Sequence, residues 1–376
     1  MVVRKVLEGS HAIAEAVKLC NPDVVAAYPI TPQTHIIERI SEMVADGEFK
    51  TEFSRAESEH SAMSICLGAQ AAGVRTFTSS ASQGIALMHE VLYNVSGMRL
   101  PVVMAVVNRS LSSPLNIWCD WSDTFAERDS GWIQLYCESS QEAFDTIIQA
   151  YKIAENEKVS LPVMVCIDGF ILSHVYEPVN IADKKLVRKF LPKYSGRKMD
   201  FDKPVTQGAW AGPDHFQEFK QAQHEAMRNS KDVIREANSE FKKIFGRGYG
   251  NGLVETYNME SAEHAIITMG SLCGTVKHIL REKRIKDIGL IKVKSFRPFP
   301  IGLVKNSIKD LKSIGVLEKD ISLGLGGALC YEIRGLTRKQ AVSSFVGGLG
   351  GRDVKIEDFM RMFDDIREER RGLVWV

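Results

Sequence analysis

Over residues 1–250 the chain alternates short apolar runs with longer stretches whose apolar positions recur at helical spacing. Residues 24–27, 76–79, 102–107 and 163–167 are short, rich in small and β-branched side chains, and bounded by proline, glycine or polar turns. That texture predicts strands buried on both faces, as in a parallel sheet. Between them, residues 62–72, 84–95 and 141–155 carry helical spacing. The alternation predicts a doubly wound α/β domain.

From about residue 187 to 252 the pattern gives way to polar, charged and irregular sequence that ends in a glycine cluster, Gly246-Arg247-Gly248-Tyr249-Gly250-Asn251-Gly252. Within it, residues 214–243 predict one long solvated helix rich in Gln, Glu, Lys and Arg, so the region reads as an arm with the glycines as a boundary. No apolar strand feeds directly into those glycines, as a phosphate-binding loop requires. A second α/β pattern follows, with strands at 265–269, 288–293, 313–317 and 343–346, and helices at 276–282, 328–339 and 356–363. The division expected is therefore residues 1–250 and 251–376, the second unit being the smaller. Gly270-Ser271 and Gly324-Leu325-Gly326-Gly327 could present N–H groups to an anion, but such turns more often let strand and helix pack closely.

Composition narrows the classes. With 376 residues, 44% hydrophobic and 25% charged, the chain has the balance of a globular protein of two or three domains. A formal net charge of +1 gives no sign of nucleic acid or an acidic membrane surface as partner. There is no long apolar run and no signal pattern at the start, so a cytoplasmic location is expected. The seven cysteines stand singly, with no C-x-x-C pair, which predicts reduced core thiols and neither an iron–sulfur cluster nor a structural zinc site in this chain.

Two segments carry candidate chemistry. In Tyr28-Pro29-Ile30-Thr31-Pro32, two prolines bracket a hydroxyl just past an apolar strand, at the strand end where open α/β sheets bind ligands. The same residues also fit a plain strand-to-helix turn with Thr31 as N-cap and Pro32 at the first helical position, and the two readings are compatible. The second segment, Glu57-Ser58-Glu59-His60-Ser61-Ala62, sets a carboxylate where a small-residue helix begins; an acid there also simply suits the helix dipole. Arg109 follows the strand at 102–107, so its guanidinium should emerge at the sheet's C-terminal edge, either to recognise a carboxylate or to pair with Asp120 or Asp123.

Tyr28-Pro29-Ile30-Thr31-Pro32, Ser58-Glu59, Thr78-Ser79-Ser80-Ala81-Ser82-Gln83-Gly84, Asn108-Arg109, Asn116-Ile117-Trp118-Cys119-Asp120 and Asp168-Gly169-Phe170 occur in that order. Together they resemble the α subunit of 2-oxoacid:ferredoxin oxidoreductases, and are most similar to the pyruvate:ferredoxin branch. Thr268-Met269-Gly270-Ser271 and Lys294-Ser295-Phe296-Arg297-Pro298-Phe299 resemble the family's second domain, so the likeness spans the chain. The resemblance implies a thiamin-diphosphate pyrimidine-binding domain followed by a transketolase C-terminal-like domain. Thiamin enzymes hold diphosphate and Mg²⁺ through a Gly-Asp-Gly motif, which Ile167-Asp168-Gly169 lacks. The chain is therefore expected to supply only the pyrimidine half of a shared site and no metal ligand of its own, with Mg²⁺ and the [4Fe–4S] clusters in partner subunits.

By the same resemblance, Glu59 is the carboxylate that shares a proton with the aminopyrimidine, a general acid–base role, while Thr31 and Arg109 hold the 2-oxoacid carboxylate. Tyr28, Pro29 and Gln83 are expected at the cofactor and Asn108 at the substrate, although Gln83 and Asn108 also fit turn roles. Trp118 and Trp121 are candidates to wall the site or to pack the core, and His60 reads as structural. The implied reaction converts pyruvate and coenzyme A to acetyl-CoA and CO₂ with electrons passed to ferredoxin, in a complex with β, γ and δ subunits. Branched-chain, 2-oxoglutarate and arylpyruvate relatives remain alternatives for the substrate, and a non-catalytic scaffold subunit is the alternative outside enzymes.

Overall fold

The computed structural model describes residues 3–196, 198–200 and 202–376. The first part of the chain runs β1 (Val3–Glu8), α1 (Gly9–Cys20), β2 (Val24–Ala27), α2 (Thr34–Ala45), β3 (Glu52–Arg55), α3 (Glu59–Ala71), β4 (Thr76–Ser80) and α4 (Ser82–Gly97). It continues with β5 (Val103–Asn108), α5 (Ser122–Ala126), β6 (Ile133–Tyr136), α6 (Ser140–Ala154), β7 (Val163–Asp168), β8 (Tyr176–Ile181), α7 (Lys184–Phe190) and α8 (Pro213–Phe245). Past the glycine cluster come β9 (Val254–Tyr257), β10 (His264–Thr268), α9 (Leu272–Glu282), β11 (Ile288–Val293), β12 (Ser295–Arg297), α10 (Ile301–Ile308) and β13 (Ser313–Glu318). The last elements are α11 (Ala328–Arg334), β14 (Ala341–Val346), α12 (Ile356–Arg367) and β15 (Gly372–Trp375).

Two sheets organise these elements. The first has strand order β12-β6-β7-β5-β4-β2-β3, parallel except for β12, which pairs antiparallel with β6. Successive connections leave β2 in opposite directions, to β3 on one side and on to β4 on the other, so the switch point lies between β2 and β4. Ligands of open α/β sheets bind outside the carboxyl ends of strands at such a point. The second sheet has order β15-β14-β13-β10-β11-β9, with only β9 antiparallel to its neighbour. β1 and β8 form a separate antiparallel pair.

The four predicted strands of the first sheet are β2, β4, β5 and β7, each within a residue of its expected bounds. They are the central strands, buried along nearly their whole length, which is why an apolar run betrayed them. Strands missing from the sequence reading sit at edges or alternate in polarity, as in Glu52-Phe53-Ser54-Arg55 of β3 and the largely exposed β1. The expected solvated helix is α8, but only its first half is solvated. Ala226, Ser230, Val233, Ile234, Ala237 and Phe241 form a buried stripe facing α6 and α7, and Phe190 and Phe241 meet edge to face at 5.3 Å. The helix expected at 328–339 stops at Arg334.

The two sheets are joined by more than the connecting chain. β12 leaves the second unit and extends the first sheet, and just before it Lys292 and Lys294 reach into α6. Lys292 Nζ lies 2.7 Å from Glu142 Oε2 and 2.8 Å from Glu138 Oε2, and Lys294 Nζ lies 2.6 Å from Glu142 Oε1. Glu142 and both lysines are buried. All seven cysteines are buried and unpaired, and no helix among the described residues is long and apolar enough to cross a membrane.

Candidate active site at the sheet switch point

The turn after β2 is ordered by Gln33. Its amide donates to Ser79 O at 2.8 Å and Ser79 Oγ at 2.6 Å, and its carbonyl oxygen accepts from the Ile30 N–H at 3.2 Å. It thus stitches the end of β2 to the end of β4 across the switch point. Helix α2 begins at Thr34, so the expectation that Thr31 caps it is not met: the chain makes one more turn, closed by the Gln33 and Thr34 N–H groups on Ile30 O. Thr31 is consequently exposed, with a hydroxyl that makes no hydrogen bond to the described residues, and Tyr28 and Pro29 beside it are exposed as well.

Glu59 opens α3. Ser58 is the N-cap, in extended geometry, and its Oγ accepts the Ser61 N–H at 3.2 Å. This cap fixes the first turn and points Glu59 inward, where it is 6% exposed. Burial pushes its carboxyl pKa up, and no other described residue donates a hydrogen bond to its side chain. Its carboxylate packs on Gly84 in the first turn of α4: a Cβ at that glycine would stand 2.6 Å from Glu59 Oε1 and 2.4 Å from Ser80 Oγ. Ser80 Oγ and Thr78 Oγ1, both on β4, are buried without partners. A buried acid close to the unpaired Ser80 hydroxyl is costly without a further polar partner. It fits a site completed by a polar ligand.

Arg109 emerges from β5 into the same region. Its Nη1 donates to Thr31 O at 2.9 Å and its Nε to Asn116 O at 2.9 Å, so the backbone holds the guanidinium plane. The pairing with Asp120 or Asp123 left open by the sequence does not form. Asp123 instead accepts backbone N–H groups, from Arg109 at 3.0 Å and Ser82 at 3.0 Å, together with the Asn108 amide at 2.8 Å. Burial pushes Asp123 up to about 7, with those hydrogen bonds opposing. One buried carboxyl therefore sets the ends of two strands. Asn108 is fully buried and donates to Asp123 and Thr124, which turns its amide group away from the surface. Gln83 is half-buried, its side-chain oxygen accepting from Ser82 Oγ at 2.5 Å. Ser82 has a φ of 47°, left-handed backbone unusual for serine, at the start of α4.

The structure thus brings Glu59, Thr31, Arg109 and Gln83 to one end of the sheet, with Asn108 beneath them. Trp118 is 51% exposed and faces Phe170 at 6.4 Å. Trp121 is buried and donates to Asp168 Oδ1 at 2.8 Å. Asp168 itself ends β7 with both oxygens engaged: Lys319 Nζ approaches Oδ2 to 2.9 Å, and the Ser271 N–H and hydroxyl donate to that same oxygen. Burial would raise this carboxyl, but the Lys319 charge and these hydrogen bonds hold it below the usual range. It is engaged by the second unit and does not suit a metal.

That second unit also grips the loop between β5 and α5. Asn116 Nδ2 donates to Gly350 O at 3.1 Å, the Gly351 N–H donates to Cys119 O at 2.8 Å, and the Trp121 N–H donates to Lys319 O at 2.8 Å. Gly350 and Gly351 have φ of 55° and 80°, and a Cβ on the latter would lie 2.4 Å from Trp118 Cβ. Gln33 and Lys319 were not singled out in the sequence. Gly84 appeared there only as the last residue of the Thr78–Gly84 motif, and Asp123 only as a possible ion-pair partner of Arg109.

Residues 15–239 match the family described as pyruvate flavodoxin/ferredoxin oxidoreductase, thiamine-diphosphate-binding, and residues 262–359 match the pyruvate:ferredoxin oxidoreductase core domain II. The chain belongs to the pyruvate flavodoxin/ferredoxin oxidoreductase family. Within that family it is 52% identical to the pyruvate synthase subunit PorA of Methanocaldococcus jannaschii, over 99% of this chain and 97% of the relative. It is 46% identical to the corresponding PorA of Thermotoga maritima, over 99% and 98%. The ketoisovalerate oxidoreductase subunit VorA of Pyrococcus horikoshii is 41% identical over 97% and 94%.

Among solved structures, a 2-oxoglutarate:ferredoxin oxidoreductase from Magnetococcus marinus, with 2-oxoglutarate, coenzyme A and succinyl-CoA bound, superposes with a TM-score of 0.76 at 20% identity. The superposition covers 98% of this family member and 65% of that longer chain. A split-gene transketolase, described as an inactive β4 tetramer, has the same general fold at a TM-score of 0.56 and 12% identity. The doubly wound domain followed by a transketolase-like one is therefore the fold of this chain.

Proposed function

We propose that this chain is the α subunit of a pyruvate synthase, which converts pyruvate, coenzyme A and oxidised ferredoxin to acetyl-CoA, CO₂ and reduced ferredoxin, reversibly. In this reading it supplies the pyrimidine half of a thiamin-diphosphate site at the end of its first sheet. The observation that carries it is Glu59, a buried carboxyl with a raised pKa, no hydrogen-bond donor among the described residues beyond its own backbone, and a glycine opposite that leaves room for it. Thiamin diphosphate, when bound, supplies a carbanion-stabilising centre whose activation depends on a proton shared between its ring nitrogen and a carboxylate. Glu59 has the burial and the free acceptor for that proton. Tyr28, Pro29 and Gln83 line the approach to it.

Arg109 provides the fixed cation for the 2-oxoacid carboxylate, its planar fork aligned by Thr31 O and Asn116 O, and the exposed Thr31 hydroxyl stands beside it. Asn108, turned toward Asp123, acts by holding the strand end that carries Arg109. Because Asp168 is committed to Lys319, diphosphate and Mg²⁺ fall to a β subunit, and the [4Fe–4S] clusters to further subunits of the γ and δ type that deliver electrons to ferredoxin in the cytoplasm. Pyruvate is favoured over branched-chain substrates because the PorA relatives are closer in sequence than the VorA relative. The test is Glu59→Gln in the assembled complex: assembly intact, thiamin C2-proton exchange strongly slowed. Exchange at the wild-type rate would refute the assignment, and a 2-oxoacid panel read by viologen reduction checks the substrate.

A further inference from the structure

We propose that Glu8, His35 and His174 form a binding site for a transition-metal cation of the zinc class, apart from the Glu59 cleft and independent of its assignment. One ligand atom from each residue lies within 4.8 Å of the other two. They come from three elements that only the fold brings together: the end of β1, the first turn of α2, and the turn following β7. Tetrahedral zinc, with bonds of about 2.0–2.1 Å to nitrogen and oxygen, places its ligand atoms roughly 3.3 Å apart. Side-chain shifts of up to about 1.5 Å close the widest separation to that value, and the 2.6 Å contact between Glu8 Oε1 and His35 Nδ1 opens by about 0.7 Å to admit the ion.

The contacts already present have the form of a prepared site. Glu8 is 5% exposed, and its Oε1 lies 2.6 Å from His35 Nδ1, a carboxylate–imidazole contact in which a cation can replace the shared proton. Its other carboxylate oxygen accepts no hydrogen bond from the described residues. His174 Nδ1 is 2.7 Å from the buried Ser173 Oγ, and that oxygen also accepts the Phe170 N–H at 2.9 Å. The ring is thereby oriented and its Nε2 left free, the arrangement by which an outer partner sets a histidine ligand. The His35 and His174 rings lie 4.4 Å apart, with His11 6.4 Å from His35. A Glu8–His35 ion pair alone would account for two of these groups and leave the close approach of the second imidazole unexplained.

Two imidazoles and one carboxylate, without a thiolate, select zinc or cobalt over the oxygen-seeking Mg²⁺ and Ca²⁺. With three protein ligands and His35 42% exposed at its side chain, a fourth position is open to water. Position suggests a purpose. Gly169, five residues before His174, backs directly on Pro32, where a Cβ would come within 2.8 Å of Pro32 Cγ. A cation at this cluster would brace the Thr31 turn from behind by tying α2 to the turn after β7.

The experiment is titration of the untagged, chelator-stripped full chain with Zn²⁺, followed by elemental analysis, thermal unfolding and Co²⁺ substitution. The expected result is one tightly held zinc per chain and a higher melting temperature on loading. The cobalt spectrum should show nitrogen–oxygen ligation without a thiolate charge-transfer band. Glu8→Gln and His174→Ala should each abolish both the stoichiometric uptake and the melting shift. No stoichiometric uptake by the wild-type chain, a thiolate band in the cobalt spectrum, or uptake unaltered in folded His174→Ala would each overturn the site. Because the cobalt spectrum is read on the wild-type chain, the proposal stands or falls even if a variant does not fold.

Discussion

Replacing Gly84 by alanine places a methyl group about 0.8 Å inside the 3.4 Å at which ordinary contact with Glu59 Oε1 begins, and deeper still against Ser80 Oγ. The side chain of Glu59 is the part able to yield, since Gly84 lies in the first turn of α4 and Ser80 is anchored in the sheet. Relief therefore requires the carboxylate to shift by most of an ångström. A displacement of about 1 Å in a positioned group can cost on the order of 100-fold in rate, equivalent to about 2.7 kcal/mol of transition-state stabilisation.

Stability should move less. Alanine gains about 1 kcal/mol over glycine in a helix, while overpacking costs about 1–3 kcal/mol, so the net cost is about 0–2 kcal/mol. In the assembled complex, Gly84→Ala should melt within a few degrees of wild type yet lose roughly 100-fold in kcat for pyruvate-dependent viologen reduction. C2-proton exchange on thiamin should slow in parallel, because the displaced group is the one proposed to set the proton. Wild-type kcat together with wild-type exchange would show that the carboxylate does not need its present position. The role proposed for Glu59 would then fail.

Two further substitutions probe other parts of the chain. Arg109→Ala should raise the pyruvate KM and lower kcat/KM by ~10- to 150-fold, the equivalent of one charged hydrogen bond of about 1.5–3 kcal/mol, while C2-proton exchange stays near wild type; unaltered kinetics would remove Arg109 from the substrate. Glu142→Gln, which leaves the buried Lys294 without a carboxylate and Lys292 with only Glu138 at 2.8 Å and Glu255 at 3.6 Å, should cost roughly 3–5 kcal/mol at neutral pH by denaturant unfolding. Against the push of burial, those two lysines bring Glu142 down from 4.5 to about 2. A lowered carboxyl pKa stabilises the fold above its unfolded value and loses that contribution as pH falls through the folded one. Wild-type stability should therefore drop between about pH 4.5 and 2, and the variant should show a flatter acid limb; coincident acid limbs would contradict the ion-pair assignment.

What the sequence disclosed follows from where its signals are local. Buried central strands such as β5 and β7 are continuous apolar runs, and the Ser58 cap with Glu59 after it is a helix start legible within a few residues. Edge strands lacked such a run, and β12 is three residues whose pairing with β6 depends on contacts more than 150 positions away. Thr31 was read as a cap because the proline pattern permits it, but the extra turn is set by Gln33 finding Ser79 across the switch point. Asp168 looked like an incomplete metal motif, and its real partner, Lys319, comes from the other sheet. The Glu8–His35–His174 cluster was invisible for the same reason: each histidine stands alone in sequence, and only the fold makes them neighbours.

These long-range contacts bear on what the second unit does. Arg109 is aligned by Thr31 O and Asn116 O, and Asn116 is in turn held by Gly350. The proposed substrate cation is thus positioned through a relay that ends in the transketolase-like unit. Asp168 adds a second tie, because its buried charge is matched by Lys319, which could not be withdrawn without leaving an unpaired carboxylate in the interior, a loss of about 3–5 kcal/mol. Separating the two units would release the loop around Asn116 and expose both the Glu142 and Asp168 pairs at once. In the proposed site, the second unit would therefore back the half-site by holding the Asn116 loop against which Arg109 Nε is aligned.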